Sequence, residues 1–126
     1  MPPVRRISRP IAATPALQPR LRFGLGDDAA FGPGKAELLR RIAATGSIRS
    51  AALAMAMSYN RAWILVRAMN RQFVAPLLAI VRGGSAGGGA TLTATGREVL
   101  GRYERMDRSC RAATRSDWRA LRRLLR

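Results

Sequence analysis

Tyr59, Asn60, Ile64, Arg67 and Arg71 recur at the spacing of one helix face. The side-chain types on that face suit hydrogen bonding to base edges. An asparagine amide matches the paired donor and acceptor of adenine, an arginine fork matches the two acceptors of guanine, and an isoleucine fits a thymine methyl. Other chemistry has little to work with. The chain has no histidine and a single cysteine, Cys110, so Ser-His-Asp and Cys-His catalysis lack a base and a Cys/His metal site lacks ligands. Cys110 reads as a small apolar packing residue on a helix, the alternative being an intermolecular thiol. Asp27 and Asp28 are adjacent, but before a helix such a pair reads as a loop or cap rather than a catalytic dyad. The expectation is a protein that is not an enzyme, with no cofactor and no metal.

The charge balance strengthens that expectation. Lys plus Arg number 23 against 7 Asp plus Glu, a formal +16 over 126 residues, and Lys35 is the only lysine. A surplus of this size calls for an anionic partner, nucleic acid first and an acidic membrane surface or protein second. A chain of this length forms one domain with a modest core. No apolar run approaches the ~20 residues that span a bilayer, so no membrane role is expected. Residues 1–19 are acid-free and rich in Arg, Pro and Ala. They read as a disordered basic arm of a cytoplasmic protein, because Pro2, Pro3, Pro10, Pro15 and Pro19 oppose a continuous helix.

Several elements must position the reading face. Residues 20–26 alternate and predict a short strand. Pro33 suits the first turn of a helix through Thr45, ended by Gly46. Ser47 caps a second helix, Ile48 to Met55, whose Ala51 and Ala52 allow another helix to come close. Ala56-Met57 is a tight break, and Ser58 caps a third helix from Tyr59 to about Phe73. Its apolar face is Ala62, Val66, Met69 and Phe73. Leu77–Val81 and Ala90–Thr93 read as strands joined by the glycine-rich loop 83–89, the form of a wing after a helix-turn-helix. That loop lacks the Gly-Lys-Ser/Thr ending of a phosphate-binding loop. From Ala94 onward the chain is helical in preference. Val99, Tyr103, Met106, Cys110 and Ala113 form a stripe suited to a partner subunit or to docking on its own domain. The fold class expected is mainly α with a small β-wing, a winged helix-turn-helix: an arm at 1–19, a DNA-binding domain at 20–93 and a dimerisation helix at 94–126.

Gly34-Lys-Ala-Glu-Leu-Leu39, Thr45-Gly-Ser-Ile48, Ala51-Ala52, Met57-Ser-Tyr59, Ala62-Trp63 and Met69-Asn70 stand in that order. Gly83-Gly84, Gly87-Gly-Gly-Ala90 and Leu92-Thr93 follow. In this arrangement the stretch 32–103 resembles the N-terminal DNA-binding domain of ModE-type molybdate-responsive regulators, relatives of the LysR-type headpiece. The resemblance implies transcription regulation. The chain stops before any segment resembling their oxyanion-binding domains, so a stand-alone domain without molybdate as a partner is expected.

The expected mechanism places the helix 59–73 in the major groove of double-stranded DNA. Ser58, the amides of the first turn and Arg49 grip phosphates. Tyr59, Asn60 and Arg67 reach base edges, Ile64 touches a thymine methyl, and Arg61 serves either role. Arg82 and the 77–93 wing approach the adjacent backbone. Trp63 reads as a buried wedge rather than a stacking residue. The expected assembly is a homodimer. An RNA-binding basic module, or a protein-interaction module that kept the fold and lost DNA binding, are the alternatives. The first lacks an aromatic stacking platform.

Overall fold

The computed structural model describes residues 14–24, 30–81 and 89–126. The order of elements is α1 (Pro33–Thr45), α2 (Ile48–Ala54), α3 (Tyr59–Gln72), β1 (Leu78–Val81), β2 (Gly89–Leu92) and α4 (Ala94–Arg122). Each helix begins on a local signal. Pro33 occupies the first turn of α1, where a missing N–H costs nothing. The side chains of Ser47, Ser58 and Thr93 each accept a hydrogen bond from the backbone N–H three residues on, at 3.0 Å in all three cases. Gly46 ends α1 in the left-handed region at φ 69°, its N–H donating to Ile42 O at 2.7 Å.

The chain reverses between α2 and α3 through Ala56, the one non-glycine residue at positive φ (53°) among those described. Ala56 N–H donates to Leu53 O at 3.2 Å, and Met57 N–H donates to Ala52 O at 3.0 Å. An L-residue there carries a Cβ clash that glycine lacks, offset in part by glycine's greater freedom in the unfolded chain. Ala56→Gly is therefore expected to raise stability by about 0.5 kcal/mol, read as a higher midpoint in urea unfolding. A lower midpoint would show that the turn is not strained.

Leu38, Leu39 and Ile42 of α1, Ala51 and Ala52 of α2, and Ala62, Val66 and Met69 of α3 are buried together with Phe31, Leu77 and Leu78. Small alanines on α2 and α3 let both helices approach the leucines of α1 without voids. Phe31, Phe23, Phe73 and Tyr103 form an aromatic cluster with ring centroids 5.2–6.3 Å apart. β1 and β2 pair antiparallel from Leu78 opposite Leu92 to Val81 opposite Gly89. Ala90 N–H donates to Gly46 O at 3.0 Å, which docks the hairpin on the turn between α1 and α2.

One expectation needs correction. The strand over 20–26 is reduced, among the described residues, to one isolated bridge between Phe23 and Phe31. Gly32 already caps α1, so the partner segment turns into a helix before a ladder extends. Residues 25–29, with Asp27 and Asp28, lie outside the described residues. On α4 the buried positions are Gly96, Leu100 and Tyr103. Of the expected stripe only Tyr103 is buried, and Met106 is 49% exposed. Gly96 meets the backbone of Leu77, and this contact sets the rotation of α4.

The segment before Phe23 is tied to α4. Tyr103 Oη donates to Leu21 O at 2.8 Å, and Arg111 Nη1 donates to Leu17 O at 3.3 Å. Residues 1–13 of the expected arm lie outside the described residues. Among the described residues, no helix is long and apolar enough to cross a membrane.

Candidate nucleic-acid interface

α3 buries Ala62, Val66 and Met69 and turns the opposite face to solvent. Tyr59, Asn60, Arg61, Ile64, Arg67 and Arg71 are all exposed on it, and Ile64 is 46% accessible. The accessible part of this isoleucine, among arginines, is free to meet an apolar group of a partner. Ser58 is exposed and occupied as the N-cap, its Oγ accepting from Arg61 N–H. The remaining amides of that first turn point outward from the positive end of the helix, and no acid occupies it.

Arg49 lies on α2 next to this face. Its guanidinium carbon stands 4.5 Å from the centre of the Tyr59 ring. The Tyr59 ring meets Trp63 edge-on at 6.1 Å, and the Arg67 guanidinium stands 5.7 Å from the Trp63 ring centre. Arg49, Tyr59, Trp63 and Arg67 thus form a row across the two helices, two rings in contact with a cation at each end. The rings hold the guanidinium groups at the surface with their N–H donors unspent on carboxylates. Trp63 is half-buried against the core, so it supports Arg67 as well as filling space. The sequence reading assigned Trp63 only the second of these roles.

The ion pairs among described residues join Arg40 and Arg41 to Glu37, Arg40 to Glu104, Arg102 to Glu98, and Arg111 to Asp107. All of these residues are on α1 and α4. Arg49, Arg61, Arg67 and Arg71 make no ion pair with any described residue. Arg105, Arg108, Arg115, Arg119 and Arg122 of α4 likewise make no ion pair with a described residue, so uncompensated positive charge lies on α4 as well as on the exposed face of α3. Arg82 and the loop 82–88 lie outside the described residues, so the wing contact expected there has no geometry.

Sequence reasoning missed Asn70. It is half-buried at the far end of α3, and its Oδ1 accepts from both Leu77 N–H and Leu78 N–H at 3.0 Å. Its Nδ2 donates to Leu78 O at 3.2 Å. The side chain therefore stands in for a strand neighbour and fixes β1 to α3. Its place on the polar edge of the apolar stripe was the available signal. Among the described residues no group of three or more Asp, Glu, Cys or His is placed to hold a metal ion.

No family model matches the chain. Curated relatives do. The molybdenum-pterin-binding protein MopB of Rhodobacter capsulatus is 43% identical over 75 residues, covering 60% of this chain and 28% of that protein. The transcriptional regulator ModE of Haemophilus influenzae is 38% identical over 77 residues, 61% of this chain and 30% of that protein. The DNA-binding transcriptional dual regulator ModE of Escherichia coli K12 is 36% identical over 72 residues, 57% of this chain and 28% of that protein. The chain thus spans less than a third of the length of these relatives. Their names are those of binding and regulatory proteins.

These matches correct two expectations. Identification as a stand-alone DNA-binding domain of ModE-type regulators does not hold, because the matches include a molybdenum-pterin-binding protein and span so small a part of each relative. The exclusion of molybdate as a partner is overturned by the same names: MopB and MopA of Rhodobacter capsulatus are molybdenum-pterin-binding proteins, and ModE of Azotobacter vinelandii is a molybdenum transport protein.

Proposed function

We propose that the chain is a winged helix-turn-helix that binds double-stranded DNA in the service of transcription regulation, with α3 in the major groove. The observation that carries this reading is the exposed face of α3, where Tyr59, Asn60, Ile64 and Arg67 stand together with uncompensated arginines. An α-helix with its side chains is about 10–12 Å across, which suits the ~12 Å major groove. Ser58 and Arg49 stand at the leading end of the helix, where backbone phosphates pass. The hairpin of β1 and β2 is held to α3 by Asn70 and so moves with it. The names of the relatives support a regulatory setting and bring molybdenum into it.

Selection of bound sequences from a random duplex library, followed by affinity measurements at several salt concentrations, tests the reading. Each phosphate neutralised adds about −0.9 to the slope of log affinity against log salt. Binding indifferent to sequence and salt, or a preference for single-stranded RNA, would overturn it. Isotherms with and without molybdate show whether the oxyanion acts through this chain.

On the selected site, Asn60→Ala and Arg67→Ala are each expected to cost about 1–3 kcal/mol of binding and to relax the preference at one base pair. Both side chains are exposed, so stability should stay within about 0.5 kcal/mol of the parent. Arg49→Ala is expected to weaken all sequences alike and to flatten the salt slope. A common pattern for the three variants would show the assigned geometry to be wrong.

A further inference from the structure

Beside the exposed face of α3 lies a cavity of about 440 Å³ into which four cationic side chains converge, Arg22, Lys35, Arg61 and Arg71. They come from three separate parts of the chain: the extended segment before Phe23, the first turns of α1, and α3. Ile64 and Leu65 of α3 line its apolar wall. No carboxylate lines it among the described residues, and none of the four cations is in an ion pair with a described residue. α1 starts at Pro33 with no acid in its first turn, so its positive end adds to the potential there. Lys35 Nζ has one long hydrogen bond, to Gln72 Oε1 at 3.4 Å. The Lys35 ammonium is held below the usual lysine range, first by burial and then by the charges of Arg22 and Arg61. Like charges gathered without a counter-ion destabilise the free protein, and an anion in their midst removes that cost.

We propose that Arg22, Lys35, Arg61 and Arg71 together seat one backbone phosphate of the bound duplex, at the flank of the base-reading face of α3. The inference rests on duplex binding through α3 and assigns a contact beyond it. A helix about 10–12 Å across fills a groove ~12 Å wide, so phosphates that wall the groove fall at the flanks of the helix as well as at its leading end. The cavity occupies one such flank. Ile64 and Arg71 belong both to it and to the outward face, so it opens on the side from which the duplex arrives. The guanidinium groups supply donors in fixed fork geometry, and Lys35 supplies a compact charge. The ligand is thus a tetrahedral oxyanion group carried by the nucleic acid.

The test uses the full chain and the duplex it selects. Single phosphates along the site are replaced, one at a time, by neutral methylphosphonates, and binding is measured for the wild type, Lys35→Gln and Arg22→Gln. One backbone position is expected at which the neutral linkage weakens the wild type about tenfold, as loss of a charged hydrogen-bonded contact does. The same linkage should weaken either variant severalfold less than it weakens the wild type, because one of the four cations it would lose contact with is already gone. Both variants should weaken all sequences alike, and both should unfold at or above the wild-type temperature, because a repulsive charge has been removed. A residue that merely holds the fold would lower that temperature. Should Lys35→Gln fail to fold, Arg22→Gln carries the measurement. If the wild type binds duplex but no linkage couples to Lys35 or Arg22, the proposal is overturned while base reading by α3 stands. If calorimetry finds that inorganic phosphate or molybdate binds the wild type but not the variants, and no linkage couples, the cavity serves a free oxyanion and the proposal fails. A wild type that binds no duplex overturns both.

Discussion

Gly96→Ala is expected to destabilise the protein by about 3 kcal/mol, the upper end of what over-packing costs. Gly96 is buried in the first turn of α4. A Cβ at this position would overlap the carbonyl oxygen of Leu77 and lie 3.0 Å from its carbonyl carbon. Both are backbone atoms and cannot rotate aside. The same stretch of backbone is already committed, since Leu77 O accepts from Thr93 N–H at 2.9 Å and Pro76 O accepts from the Thr93 hydroxyl at 2.6 Å. Relief therefore requires α4 to move away from the hairpin, which exposes Leu77 and loosens Leu100 and Tyr103. Thermal unfolding is expected to show a midpoint lower by roughly 10 °C for a domain of this size. A midpoint within two or three degrees of the parent, no more than a change of about 1 kcal/mol produces, would mean that α4 is not seated on Leu77.

Asn70→Ala is expected to cost about 3 kcal/mol, because it strands two inward-facing backbone N–H groups at once, at roughly 1–3 kcal/mol each less whatever water recovers. Leu77 and Leu78 are themselves 0% and 2% exposed, so little water reaches their amides. Asn70→Asp keeps the acceptor for both donors but exchanges the donor to Leu78 O for a second carboxylate oxygen, which must turn away from that carbonyl. It is expected to recover at least half of the loss. The functional consequence separates this residue from those on the exposed face. Asn70 is not on the outward face of α3, yet its loss frees β1 from the helix. Affinity for the selected duplex should fall while the base preference at each position is kept. A change of base preference in Asn70→Ala would mean that the residue reads sequence rather than holding the hairpin.

Much of the local architecture was legible. The helix starts at Pro33, Ser47 and Ser58, the stop at Gly46 and the paired strands follow from caps, a fixed proline φ, glycine freedom and alternation, all of which act over a few residues. The burial of Ala62, Val66 and Met69 followed from helical spacing, and so did the exposure of Tyr59, Asn60, Ile64 and Arg67 on the other face. On α4 periodicity marked a stripe of which Tyr103 is buried and Val99 packs against the core, while Met106 stays exposed. A long helix with many small and charged residues offers more than one stripe, and the choice among them lay with a single glycine.

The chain by itself determined its charge, the absence of histidine chemistry, the break at Ala56-Met57 and the composition of the face that α3 turns outward. These depend on residue identity or on neighbours within a turn or two. Only the tertiary structure decided which arginines are neutralised, because Arg40 meets Glu104 across 64 positions of sequence. It alone joined Arg49 to Tyr59, gave Asn70 the amides of β1, and brought Arg22 and Lys35 to the flank of α3. Side-chain spacing along one helix fixes a face. What stands beside that face depends on how distant segments pack, and packing is governed by shape and burial over the whole core.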